Sequence, residues 1–160
     1  MDAGQPAPLW PAVVQAGLIV AGWWAVHALS ARRDRDKARR EMRAKAAEGL
    51  GTRVTALQED CLTYHTSERD EKLERKIKAG LQDLGYELEA LRTSGAEVAT
   101  LAACRAALVG LRRAATGRHF EDEHQGAWPH AAPELSDMAG AALDLKRRLL
   151  AFRFSQFADD

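Results

Sequence analysis

The sequence predicts an all-α protein: a single N-terminal transmembrane helix followed by a coiled-coil-like soluble domain, an antiparallel bundle of three or four helices. Three observations carry this expectation. Leu9 to Leu29, LWPAVVQAGLIVAGWWAVHAL, contains no charged residue. Residues 31–48 then hold eight cations and four anions. From Val54 onward the apolar residues recur at steps of three and four, and no strand-like alternation competes.

The uncharged run comes first. At ~1.5 Å rise per residue it makes roughly 31 Å of helix, close to the ~30 Å hydrocarbon thickness of a bilayer. Pro11 falls in the first turn, where its missing N–H costs little. Trp10, Trp23 and Trp24 suit the two interfaces, and Gln15 and His27 are the only strongly polar members. A buried core helix would be shorter and amphipathic. A cleaved signal peptide would have a basic n-region and an apolar core of about 7–15 residues. Residues 1–8 are therefore expected outside the cytoplasm and 9–30 in the membrane. Gly17, Ala21 and Ala25 repeat every four residues, a small-residue face that lets a second helix approach closely.

Net charge is zero, 23 cations against 23 anions, and says nothing about partners. Its distribution says more. Residues 1–30 carry one charge, Asp2, and the cations cluster after the span. By the positive-inside bias the N-terminus lies outside and the bulk of the chain in the cytoplasm of a cell whose plasma (inner) membrane it crosses. Cys61 and Cys104 would then remain thiols. The stretch SARRDRDKARREMRAKAAE continues the helix as a basic juxtamembrane segment, 31–50. Arg32, Arg33 and Arg35 lie nearest the lipid headgroups, and such attraction decays within a Debye length of ~8 Å. Asp34, Asp36 and Glu41 dilute the field and no aromatic platform accompanies it, which argues against nucleic acid.

Gly49 and Gly51 predict a break, placing the bundle at 51–160 with helices at about 52–66, 67–92, 95–116 and 133–156. Each helix has its seam. Val54, Leu57, Cys61 and Tyr64 form the first; Leu73, Ile77, Leu81, Leu84, Leu88 and Leu91 the second. Val98, Leu101, Cys104, Leu108 and Leu111 form the third, and Leu135, Met138, Ala142, Leu145, Leu149 and Phe152 the fourth. Sustained three–four spacing marks helices that share a core. Ser94 and Glu97 have the form of a capping box, Gly117 stands where a C-terminal cap belongs, and Pro133 suits a first helical turn. Glu68, Glu71 and Glu74 precede Lys72, Arg75 and Lys78 by four, which reads as a solvated face.

Between the last two helices lies a polar loop, 117–132, containing GRHFEDEHQGAWPH. His119 and His124 are five apart and cannot share a helix face, and no second cluster completes a metal site. The loop reads as a crossover, and its length makes it the expected partner-contact region, with His119, Phe120, His124 and Trp128 as candidates. In KRRLLAFRFSQF, residues 146–157, cations alternate with Leu and Phe. Such a helix can lie on an anionic leaflet, but Leu149 and Phe152 continue the fourth seam and favour the core.

No nucleophile motif, phosphate loop or C-x-x-C is present. The expected function is a non-catalytic, membrane-anchored interaction or scaffold protein. It meets membrane lipids and either a second copy of itself or another helical protein, with no cofactor, nucleic acid or small-molecule substrate. The alternative is a membrane-perturbing effector, with Gln15 and His27 facing inward in an assembled span. In outline, a short anchor, a charged helical stretch and two cysteines, the chain resembles the inner-membrane subunit of phage spanins. That resemblance implies a role in lysis with the bulk of the chain outside the cytoplasm, opposite to the side that Arg32 to Lys45 specify.

Overall fold

The computed structural model describes residues 10–117, 120–122 and 126–157, without the side chains of residues 11–16, 19 and 21. Among the described residues there are four helices and no strand: α1 (Trp10–Thr66), α2 (Glu71–Thr93), α3 (Val98–Ala115) and α4 (Pro133–Ser155). The chain divides into two compact units, Met1–Arg39 and Arg40–Asp160.

In the larger unit the helices alternate in direction. On α1 and α2, Arg53 pairs with Glu87 and Asp60 with Lys76, so one number rises as the other falls. Arg112 on α3 reaches the Leu81 carbonyl of α2, and Arg105 pairs with Glu89. Arg153 near the end of α4 lies beside Glu48 on α1, and Lys146 beside Gln58. The product is an up-down-up-down bundle. Every seam residue that the spacing predicts is buried except two: Leu73 is half-buried and Val98 is exposed. Cys61 and Cys104 are buried free thiols.

The expected break at Gly49 and Gly51 does not occur. Leu50 between them is buried with Ala47 and Val54, and a buried leucine contributes about 1.5–3 kcal/mol. That offsets the ~1 kcal/mol each glycine costs in a helix interior. The core therefore begins at Ala44, inside the juxtamembrane segment expected to precede the bundle.

The second helix starts later than expected because Asp70, in extended conformation, caps it: its carboxylate accepts from the N–H groups of Lys72 (2.8 Å) and Leu73 (3.3 Å). The capping box is not formed either. Ser94 ends α2 instead, its hydroxyl donating to the Leu91 carbonyl at 2.7 Å, while Glu97 holds the Thr100 hydroxyl at 2.6 Å. Gly95, at φ +82°, supplies the left-handed residue that turns the chain into α3. Pro133 opens α4 as expected.

In the smaller unit, Trp10, Leu18, Val20, Trp23, Trp24, Val26 and Leu29 are exposed, with the Trp23 and His27 rings edge to face at 4.3 Å. Among the described residues no helix is long and apolar enough to cross a membrane, so the expected transmembrane span gains no support from them.

Candidate functional site

Where the last turn of α1, the first turn of α2 and the 117–132 crossover meet, polar and aromatic side chains converge. Tyr64 and His65 are fully buried there and Glu74 is only 4 % exposed. The Glu74 carboxylate accepts from the Tyr64 hydroxyl (2.8 Å) and the Arg69 Nε–H (2.7 Å), with a second Arg69 nitrogen 3.4 Å from its other oxygen. Tyr64 in turn accepts from the Glu121 backbone N–H at 3.2 Å, and Lys78 pairs with the Glu121 carboxylate. Glu121 sits at φ +67°, a left-handed conformation that an ordinary residue adopts only where its surroundings hold it.

The loop is fastened by rings as well. Phe120 packs against Tyr64 with centroids 5.1 Å apart. Trp128 stacks on His65 at 4.2 Å and an interplanar angle of 11°. The Trp128 backbone N–H donates to the His65 carbonyl at 2.7 Å, and His65 Nε2 lies 3.0 Å from the Ala115 carbonyl at the end of α3. One residue pair, Tyr64 and His65, thus ties the crossover to three helix ends.

Electrostatically the cluster is quiet. Hydrogen bonding from Arg69 outweighs burial and holds the Glu74 carboxyl below its ordinary range, so it stays ionised at neutral pH. Burial pushes the Tyr64 hydroxyl up, against the opposing Glu121 N–H. Cys61, one turn away, is pushed up to about 12 by burial and then by Asp60, and burial raises Cys104 too. Neither thiol is a thiolate near neutrality. These groups are arranged to hold a loop in place. Among the described residues no three His, Cys, Asp or Glu side chains lie close enough to hold a metal ion.

The remaining candidates fall in separate places. Phe120 and Trp128 are half-buried and turned inward, and His119 and His124 lie outside the described residues. Trp128 also lines a cleft of about 540 Å³ between α3 and α4, with Arg113, Glu134 and Asp137 on its walls. Gly17 and Ala25 are exposed, and the Ala21 side chain lies outside the described residues. Arg32, Arg33 and Arg35 are exposed on α1. At the end of α4, Leu149 and Phe152 are core, whereas Leu150, Phe154 and Phe157 face outward.

Glu74 is the residue that sequence reasoning misplaced. It was expected on a solvated face, paired with Lys78. A signal was available: 74, 77, 81, 84, 88 and 91 alternate threes and fours without fault, whereas starting from Leu73 gives two fours in succession. No family model, curated protein or solved structure matches this chain.

Proposed function

We propose that the chain is a non-catalytic, single-pass membrane protein whose helical bundle serves as an interaction or scaffold module in the cytoplasm and associates with a second copy or another helical protein. One observation carries the reading. In the smaller unit Leu18, Val20, Trp23, Trp24, Val26 and Leu29 are each at least 60 % exposed on one helix, within a run that has no charged residue from Leu9 to Leu29. Large apolar side chains all round a helix need lipid or protein about them, since water would leave a contiguous apolar patch uncovered. The cations that begin at Arg32 support the inward side for the bundle, and Arg32, Arg33 and Arg35 are the residues proposed to meet headgroups.

Flotation of membranes from cells making the full chain, before and after alkaline carbonate, tests anchoring. The chain should stay with the membranes in both cases. Recovery in the soluble fraction at either step would end the reading. A C-terminal reporter active only in the cytoplasm tests orientation and should be active.

A further inference from the structure

α4 carries two seams. One, from Leu135 to Phe152, is buried in the bundle. The other runs Ser136, Gly140, Leu143, Arg147, Leu150, Phe154 and, in the turn that closes the helix, Phe157. These seven positions alternate steps of four and three, and all are exposed. The four large apolar members are 45–65 % exposed, and among the described residues no other helix of the Arg40–Asp160 unit presents more than two exposed large apolar side chains. An uninterrupted four–three seam is what a partner helix packs against.

We propose that this seam is the interface with a second copy of the chain, packed antiparallel, α4 on α4, about a two-fold axis near Arg147. The inference rests on the self-association part of the proposed function and names its surface. The sizes along the seam select this occupant and this direction. The amino-terminal half is small, Ser136 and Gly140, and the carboxy-terminal half is large, Leu150, Phe154 and Phe157. Antiparallel pairing sets Phe154 against Gly140 and Phe157 against Ser136, with Leu143 against Leu150. A Cβ built on Gly140 would meet nothing within 4 Å, so the socket is open in the single chain. Parallel pairing would stack phenylalanine on phenylalanine and glycine on glycine, leaving a gap at one end. The two Arg147 side chains approach at the axis as like charges, offset in part by Asp144 of the other copy about one turn along, a carboxylate that Arg148 engages at 2.9 Å in the single chain. A two-fold contact of one patch with itself closes at two copies and does not propagate. One helix face is a small interface, and confinement of anchored chains to one membrane would raise its occupancy.

Cross-linking of the full chain in detergent micelles tests this directly. Cys61 and Cys104 are buried, so the wild type gives the background. Under mild oxidation Arg147→Cys should join to its own mate in most molecules. Gly140→Cys and Phe154→Cys should not join singly, because about 14 residues of helix, roughly 21 Å, separate each from its mate. The two together in one chain should join. Gly140→Leu, which fills the socket, should leave thermal unfolding intact and weaken the dimer at least tenfold by sedimentation.

Equal linking at 140, 147 and 154, or none at 147, would overturn the interface. If the wild type still sediments as a dimer when 147 fails to link, self-association survives through another surface. A wild type that sediments as a monomer at every concentration removes both.

Discussion

Glu74 is a carboxylate that packing keeps from water and two donors keep charged. Its consequences for stability follow from linkage. Because its folded pKa lies below the ordinary 4.5, the unfolded chain takes up the proton first as pH falls. The contribution is therefore full above about 4.5 and disappears as pH drops through the lower folded value. Glu74→Gln should lose less melting temperature than the wild type as pH falls from about 4.5 towards 3. If the two curves stay parallel, the carboxylate is not held as described. Tyr64→Phe removes the hydroxyl that bridges Glu74 and the Glu121 N–H, and should cost about 1–2 kcal/mol in urea unfolding at neutral pH. Cys61 behaves in the opposite sense. With its pKa pushed up to about 12, folding opposes ionisation, and its stabilising burial is lost as pH rises past the ordinary 9.0. Both cysteines should resist a thiol reagent in the folded chain and react promptly in denaturant. Rapid labelling of the native chain would contradict the burial. At this scale little of the Tyr64–His65 cluster was legible. Tyr64 ended a seam, but apart from Glu74 what these two residues touch comes from residues 115, 120, 121 and 128, and no spacing rule spans fifty residues of chain.

At the level of single helices, periodicity was informative and punctuation less so. Ile77 to Leu91 and Leu135 to Phe152 are buried position by position as their spacing predicts, since a side chain's face depends only on the turn of its own helix. The glycines misled. Gly49 and Gly51 resemble a break but lie inside α1, where Leu50 and its neighbours hold the backbone by packing. Helix propensity is then the only local term left to improve. An added Cβ meets nothing within 4 Å at either site, so Gly49→Ala and Gly51→Ala should each stabilise by about 0.5–1 kcal/mol. Gly80 differs although it too is helical. A Cβ there would lie 3.2 Å from the buried Leu57 Cδ1 across the α1–α2 contact. Gly80→Val should therefore destabilise by roughly 1–3 kcal/mol through overpacking. Gly95→Ala should cost about 1 kcal/mol for its left-handed φ of +82°. Thermal melts of the four variants sort these cases, and a gain at Gly80 would mean the two helices stand further apart than described.

For the whole molecule, packing and sequence patterning place the start of the bundle differently. Glycine and charge patterning put its start at residue 51, after a basic segment read as a separate element. Contacts put it at Arg40. The difference has a cause: Ala44 and Ala47 are small enough to disappear among charged neighbours in the sequence, yet both are buried, and with Leu50 they cap the core at this end. Arg43, in the middle of the basic run, donates to the Ser94 carbonyl at 2.7 Å and lies 3.4 Å from Gln156, joining α1 to the ends of α2 and α4. A cation that the sequence places in the basic juxtamembrane segment is thus part of the bundle. Two truncations separate the readings. A chain starting at Arg40 keeps every buried residue of the bundle and should unfold cooperatively with high helicity. One starting at Gly51 loses the Leu50 side chain, two buried alanines and the Arg43 bonds, and should be less stable by about 3–5 kcal/mol, judged by the cost of emptying a comparable core position. Equal urea midpoints for the two fragments would restore the boundary at residue 51 and leave the basic segment with membrane work alone.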